Sequence, residues 1–168
     1  FFKTKEEIED WLKKMNIKQY TINRNLTVDV YDNVNISQKE LKYIPIQFRI
    51  VTNDFYCDRN NLISLEGCPT KVDGDFRCNN NQLTSLKFGP TIVNGNYECE
   101  YNKLTSLKYC PEVIWDFRCN DNIINTLEYC PIIINGTFFL SDNKLKNLEG
   151  CCPKIGDGFY LENNCLES

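Results

Sequence analysis

One aromatic recurs through most of the chain at almost constant spacing: Phe55, Phe76, Tyr97, Phe117, Phe138 and Phe159. The successive intervals are 21, 21, 20, 21 and 21. A fixed period near 20 predicts a solenoid, in which each unit buries its apolar side only against its neighbours. At 168 residues the chain is long enough for one domain with a substantial core.

Within each unit the columns are nearly fixed. Two places after the aromatic stand Cys57, Cys78, Cys99, Cys119, Leu140 and Leu161. The alternation with polar residues predicts a short strand with both columns facing inward. Five places after the aromatic stand Asn60, Asn81, Asn102, Asn122, Asn143 and Asn164. An asparagine at every turn is expected to hydrogen-bond the backbone where the chain leaves the strand. Leu62, Leu83, Leu104, Ile124, Leu145 and Leu166 come next, then Leu65, Leu86, Leu107, Leu127 and Leu148. Pro69, Pro90, Pro111, Pro131 and Pro153 follow. Proline donates no hydrogen bond, so the convex side is expected to be extended or irregular. Gly74, Gly95 and Gly136 precede the next strand and allow a tight bend.

Residues 1–50 are expected to cap the solenoid and residues 51–168 to form the repeats. Thr4 and Glu7 have the spacing of a capping box, and Ile8, Trp11, Leu12 and Met15 form one apolar stripe of a short helix. Asn16 is a left-handed stop signal. Tyr20–Asn23 and Thr27–Val30 alternate with period 2 across a short gap, which predicts a β-hairpin. The second strand is read as the start of a degenerate first coil, longer than the rest, from Val28 to Phe55. Val28, Val30 and Asn33 then take the places of Phe55, Cys57 and Asn60, with Leu41, Ile44 and Pro45 in the leucine and proline columns. The helix reads as a cap, with partner binding as the alternative.

The formal charge of −4 argues against nucleic acid, and no apolar run approaches a membrane span. Phe1-Phe2-Lys3 runs straight into a charged segment, so no signal peptide is expected. The absence of histidine removes the commonest general base and metal ligand. Ten cysteines admit a disulfide framework, yet their columns also accept Leu140, Leu161 and Gly89. Strands about 4.8 Å apart with parallel side chains are poorly placed for bridging. The cysteines are therefore read as soft core residues, over scattered disulfides or a metal, and as reduced, which points to an intracellular setting.

The columns form the leucine-rich-repeat pattern L-x-L-x-x-N-x-L with Phe and Cys in strand positions. The stretch "NNLISLEGCPTKVDGDFRCNNNQLTSL" and the lead-in "YTINRNLTVDVYDNVNIS" resemble leucine-rich-repeat proteins of giant amoebal viruses and large phages. More distantly the repeats are similar to the short, proline-rich repeats of bacterial effectors, whose separate ubiquitin-ligase domain has no counterpart here. The resemblance implies a horseshoe with a parallel sheet on its concave side, a host-cytoplasmic or virion location, and a recognition role. It carries over no catalytic residue.

If a solenoid has a site, it is usually the concave sheet. The outward positions one past the aromatic are Tyr56, Arg77, Glu98, Arg118, Phe139 and Tyr160. Those three past it are Asp58, Asn79, Glu100, Asn120, Ser141 and Glu162. Arginine and tyrosine dominate protein hot spots, so the expected function is non-catalytic recognition of a protein partner, with Arg77 and Arg118 leading. The bland alternative is a solvated face with Arg77, Glu98 and Arg118 paired across strands. A second functional reading is a virion or assembly component that self-associates through the solenoid ends. No enzyme activity, cofactor or metal is expected. The carboxylates of Asp73-Gly74-Asp75 read as turn chemistry, with calcium as the remote alternative.

Overall fold

A computed structural model describes residues 1–167, apart from the side chain of residue 113. The chain is a β-solenoid of about six turns with one short helix at its N-terminal end. Helix α1 spans Lys5–Lys14, with the Thr4 side chain accepting from the Glu7 N–H and the Glu7 carboxylate accepting from the Thr4 N–H. Ile8, Trp11 and Leu12 are buried, and Asn16 turns left-handed at φ 57°. The hairpin follows as expected: β1 (Tyr20–Ile22) pairs antiparallel with β2 (Thr27–Val30).

The remaining strands are β3 (Val34–Asn35), β4 (Gln47–Val51), β5 (Phe55–Tyr56), β6 (Lys71–Val72), β7 (Phe76–Arg77), β8 (Ile92–Val93) and β9 (Tyr97–Glu98). Then come β10 (Val113–Ile114), β11 (Phe117–Arg118), β12 (Ile133–Ile134), β13 (Phe138–Phe139), β14 (Lys154–Ile155) and β15 (Phe159–Tyr160). The odd strands from β3 to β15 form one parallel sheet of seven. Strands β4, β6 and β8 extend the hairpin into a five-stranded sheet, and β10, β12 and β14 form a three-stranded one. The side expected to be extended or irregular is extended, and its short strands are hydrogen-bonded into sheets. Pro69 sits just before its strand, where a missing N–H costs no ladder bond, and Thr70 N–H bonds the Arg49 carbonyl at 2.9 Å.

The register corrects the first coil. Val34 pairs with Phe55 and Asn35 with Tyr56, so Val34 and Ile36 occupy the places given above to Val28 and Val30. Val28 and Val30 instead pair with Phe48 and Val51 in the five-stranded sheet. Both stretches alternate with period 2, so alternation alone could not choose between them; the ladder selects the one that stands a full repeat before Phe55. Leu41 and Ile44 keep their columns, whereas Pro45 falls outside the proline column. Asn33 also leaves the asparagine column, since its Oδ1 accepts from the Asp54 N–H.

The inward columns build an aromatic spine. Trp11, Phe48, Phe55, Phe76, Tyr97, Phe117, Phe138 and Phe159 follow one another at centroid separations of 5.0–6.3 Å. The N-terminal residues Trp11 and Phe48 thereby close the spine. Cys57, Cys78, Cys99 and Cys119 are buried beside it, and all ten cysteines are free thiols. In the last coils Leu148 and Leu166 are exposed. One pair of exceptions is coupled. Tyr97 alone brings a hydroxyl into the spine, and Gly89 alone breaks the Cys68–Cys110–Cys130–Cys151 column. A Cβ at Gly89 would lie 3.2 Å from the Tyr97 Oη, so the larger ring takes the volume the absent side chain leaves.

Two hydrogen-bonded ladders fasten coil to coil. Each column asparagine accepts an N–H from the preceding coil through Oδ1 and donates through Nδ2 to that coil and to its own turn. Asn102, for example, accepts from Leu83 and donates to Cys78 and Cys99 carbonyls at 3.0–3.1 Å. The second ladder runs Asn33, Asp54, Asp75, Asn96 and Asp116, each Oδ1 accepting the N–H one coil onward at 2.8–3.1 Å. This ladder explains the glycine column. A Cβ at Gly74 would lie 2.2 Å from Asp54 Oδ1, and one at Gly136 would lie 2.1 Å from Asp116 Oδ1. Close approach, rather than a positive φ, requires glycine there.

Candidate functional site

The parallel register places Tyr56, Arg77, Glu98, Arg118, Phe139 and Tyr160 side by side in one outward row of the seven-stranded sheet. They hold one another. The Arg77 guanidinium lies 4.5 Å from the Tyr56 ring centroid, with its Nε 3.2 Å from a Glu98 oxygen. Arg118 lies 4.2 Å from the Phe139 ring centroid, and Phe139 stacks on Tyr160 at 5.2 Å with 6° between planes. Arg118 pairs with Asp116 at 3.9 Å, so the expected Arg77–Glu98–Arg118 chain forms only in its first half. The Tyr56 hydroxyl donates to Asp54 at 2.6 Å. Burial and that acceptor push the phenol pKa up to about 12.

The neighbouring outward row holds Asp58, Asn79, Glu100, Asn120, Ser141 and Glu162. Ser37 donates to Asp58 at 2.5 Å and Ser141 donates to Glu162 at 2.5 Å. Glu100 Oε2 and Asn79 Oδ1, on adjacent coils, are buried without a hydrogen-bond partner among the described residues. Burial pushes the Glu100 carboxyl pKa up to about 7, and burial also raises that of Glu98. The carboxylates of the Asp73-Gly74-Asp75 turn are engaged: Asp75 caps Asn96, and Asp73 takes Lys71 and Asn94.

A second concave feature lies elsewhere. A groove of about 980 Å³ opens over the five-stranded sheet, with Phe88, Ile92, Tyr109 and Trp115 among its walls and Arg49 and Glu112 among its polar groups. Trp115 is 57% exposed. Its origin is one residue. The coil from Tyr97 to Phe117 is one position shorter than the others and lacks a glycine equivalent to Gly95. Asn94 and Asn135 N–H groups bond the Val72 and Ile114 carbonyls, but the shortened coil has no residue at that place. Trp115 stands where Gly95 and Gly136 stand, and its N–H bonds the Gly95 carbonyl at 3.3 Å as the Gly95 N–H bonds Gly74 at 3.0 Å. The strand pairing on this side of the solenoid stops there, between β8 and β10.

Sequence reasoning named the row but missed the capping aspartates, the groove and a left-handed column. Gln38, Arg59, Asn80, Tyr101, Asp121, Asp142 and Asn163 all have φ between 51 and 57°. Four of the seven are Asn or Asp, the signal that marks such positions. A thiol trio was missed too: Cys130, Cys151 and Cys152 are neighbours, and their mutual interaction pulls the Cys151 pKa down. Comparison with protein-family models, curated proteins and solved structures finds no match.

Proposed function

We propose that this chain is a non-catalytic protein-recognition module of the leucine-rich-repeat type, which reads its partner through the outward face of the seven-stranded sheet. One observation carries the reading. The outward row changes chemistry at every coil while neighbouring contacts already order it. Preordered side chains lose little entropy on binding. The Asn ladder and leucine columns support the leucine-rich-repeat assignment, and with it a horseshoe curvature and the likeness to viral repeat proteins. The buried free thiols support an intracellular setting. Because Arg77 and Arg118 are engaged with acids of the same face, the anchoring role passes to the rings of Phe139 and Tyr160.

The test is a purified partner, identified by affinity capture, titrated against Phe139→Ala with Tyr160→Ala. The expected loss is about tenfold or more. Trp115→Ala serves as the comparison and should bind normally. Full binding by the sheet-face variant, with loss in Trp115→Ala, would move the site to the groove.

A further inference from the structure

The charge of this protein is unevenly placed. The three outward columns of the seven-stranded sheet carry seven acids: the three aspartates of the capping ladder, with Asp58, Glu98, Glu100 and Glu162. Two arginines oppose them, giving net −5 for the face against −4 for the whole chain, so everything else together nets +1. Both arginines lie against acids of the same face, Arg77 by Glu98 at 3.2 Å and Asp75 at 3.7 Å, though its buried Nε makes no hydrogen bond among the described residues, and Arg118 by Asp116 at 3.9 Å. From the adjoining turn Arg59 lies 3.9 Å from Asp58. The parallel ladder holds successive residues of a column about 4.8 Å apart, so unneutralised carboxylates repel along it. Glu100 has no basic partner among the described residues, and its buried Oε2 and the buried Asn79 Oδ1 beside it both lack donors.

We infer that the seven-stranded face receives an extended basic segment of a protein partner, whose lysine or arginine side chains lie along the Asp58–Asn79–Glu100 row. This rests on the recognition reading above and adds the chemistry of the partner. A field of this sign repels phosphate, which sets nucleic acid aside. Among the described residues no three or more carboxylates or thiols are placed to hold a metal ion, which favours a side-chain cation over a free one. The size of the face agrees with such a segment. Seven strands at about 4.8 Å spacing span about 29 Å, the length of about nine extended residues.

The probe is fluorescein-labelled decalysine, followed by anisotropy at about 50 mM and about 300 mM salt. Wild type is compared with Asp58→Asn/Glu100→Gln and with a charge-matched pair off this face, Glu112→Gln/Glu149→Gln. The face pair should weaken binding about tenfold and the control pair less than about twofold. Equal effects of the two pairs overturn the inference, because the attraction is then only that of net charge. Decalysine binding no better than decaglutamate overturns it as well. Burial already disfavours the Glu100 charge, so Gln there should leave melting at pH 8 unchanged or higher. Should the pair fold poorly, Glu162→Gln alone, at an exposed site, should weaken decalysine about threefold, and no change there counts against the inference. A purified partner released by Phe139→Ala/Tyr160→Ala but not displaced by decalysine overturns the basic-segment inference and leaves the recognition face standing.

Discussion

The two sides of the solenoid answer one missing residue differently. The sheet built on the aromatic strands runs through the shortened coil without a break, with Tyr97 paired to Phe117 in register. The sheet on the neighbouring side divides there into five strands and three. The first side has three devices across that join: the stacked spine, the asparagine ladder and the backbone ladder. The second has its two-residue strands, and the shortened coil lacks the residue whose N–H would reach the Val93 carbonyl as Asn94 reaches Val72. Redundant coupling absorbs a deletion, and single coupling breaks at it. The break leaves an open groove with an exposed tryptophan, whereas the unbroken side keeps its outward residues at fixed spacing.

The largest effect expected from breaking the strong side is at Phe117, a fully buried spine residue just past the join. Phe117→Ala should cost about 3–5 kcal/mol in denaturant unfolding. A loss under about 1 kcal/mol would mean that the spine does not hold the coils together.

Next is a pair of asparagines. Asn122 ties its coil to the preceding one across the divided sheet, through Cys99 and Leu104. Asn102 does the same one coil earlier, where β6 and β8 still pair. Each change to Ala should cost about 1–3 kcal/mol by orphaning backbone groups. Asn122→Ala should be the costlier of the two, because no second sheet supports its join. Equal melting of both variants would remove the asymmetry between the two sides.

The strong side was the legible one. The period placed its strands, and the unbroken asparagine column announced a backbone ladder, because the same residue recurred for the same physical reason. The other side was hidden. Two-residue strands beside proline have no alternation of their own to read, so Lys71–Val72 and Ile133–Ile134 read only as extended or irregular chain, with no sign of the pairing. The capping ladder mixed Asn and Asp, and its glycines resembled bend signals although a crossing carboxylate demands them. Val28 and Val30 were misplaced because alternation repeats in Val34 and Ile36, and only pairing distinguishes the two. The groove was visible solely as an interval of 20 among intervals of 21.

The smallest expected effect is the most direct repair of that interval. A glycine inserted between residues 115 and 116 would restore a full-length coil, letting Trp115 N–H reach the Val93 carbonyl as Asn94 reaches Val72. A regained hydrogen bond contributes about 0.5–1.5 kcal/mol. Ordering one more residue costs about 1–2 kcal/mol. The two nearly offset, so stability should move by less than about 1 kcal/mol. Hydrogen exchange at the Trp115 amide should nonetheless slow, since its present bond is long at 3.3 Å. Inserting alanine instead separates register from space. In the preceding coil a Cβ at Gly95 would lie 2.4 Å from the Asp75 Oδ1 that caps Asn96. The Asn96–Asp116 bond now stands at 3.1 Å beside the Cβ of Trp115 in the shortened coil. In a full-length coil with the geometry of its neighbours, the equivalent Cβ would meet the Asn96 side chain and weaken that bond. Alanine should therefore be worse than glycine by about 1–3 kcal/mol. If the two insertions melt alike, the glycines of the other coils are not there to let the capping ladder pass. If neither changes exchange at Trp115, the missing residue is not what divides the sheet.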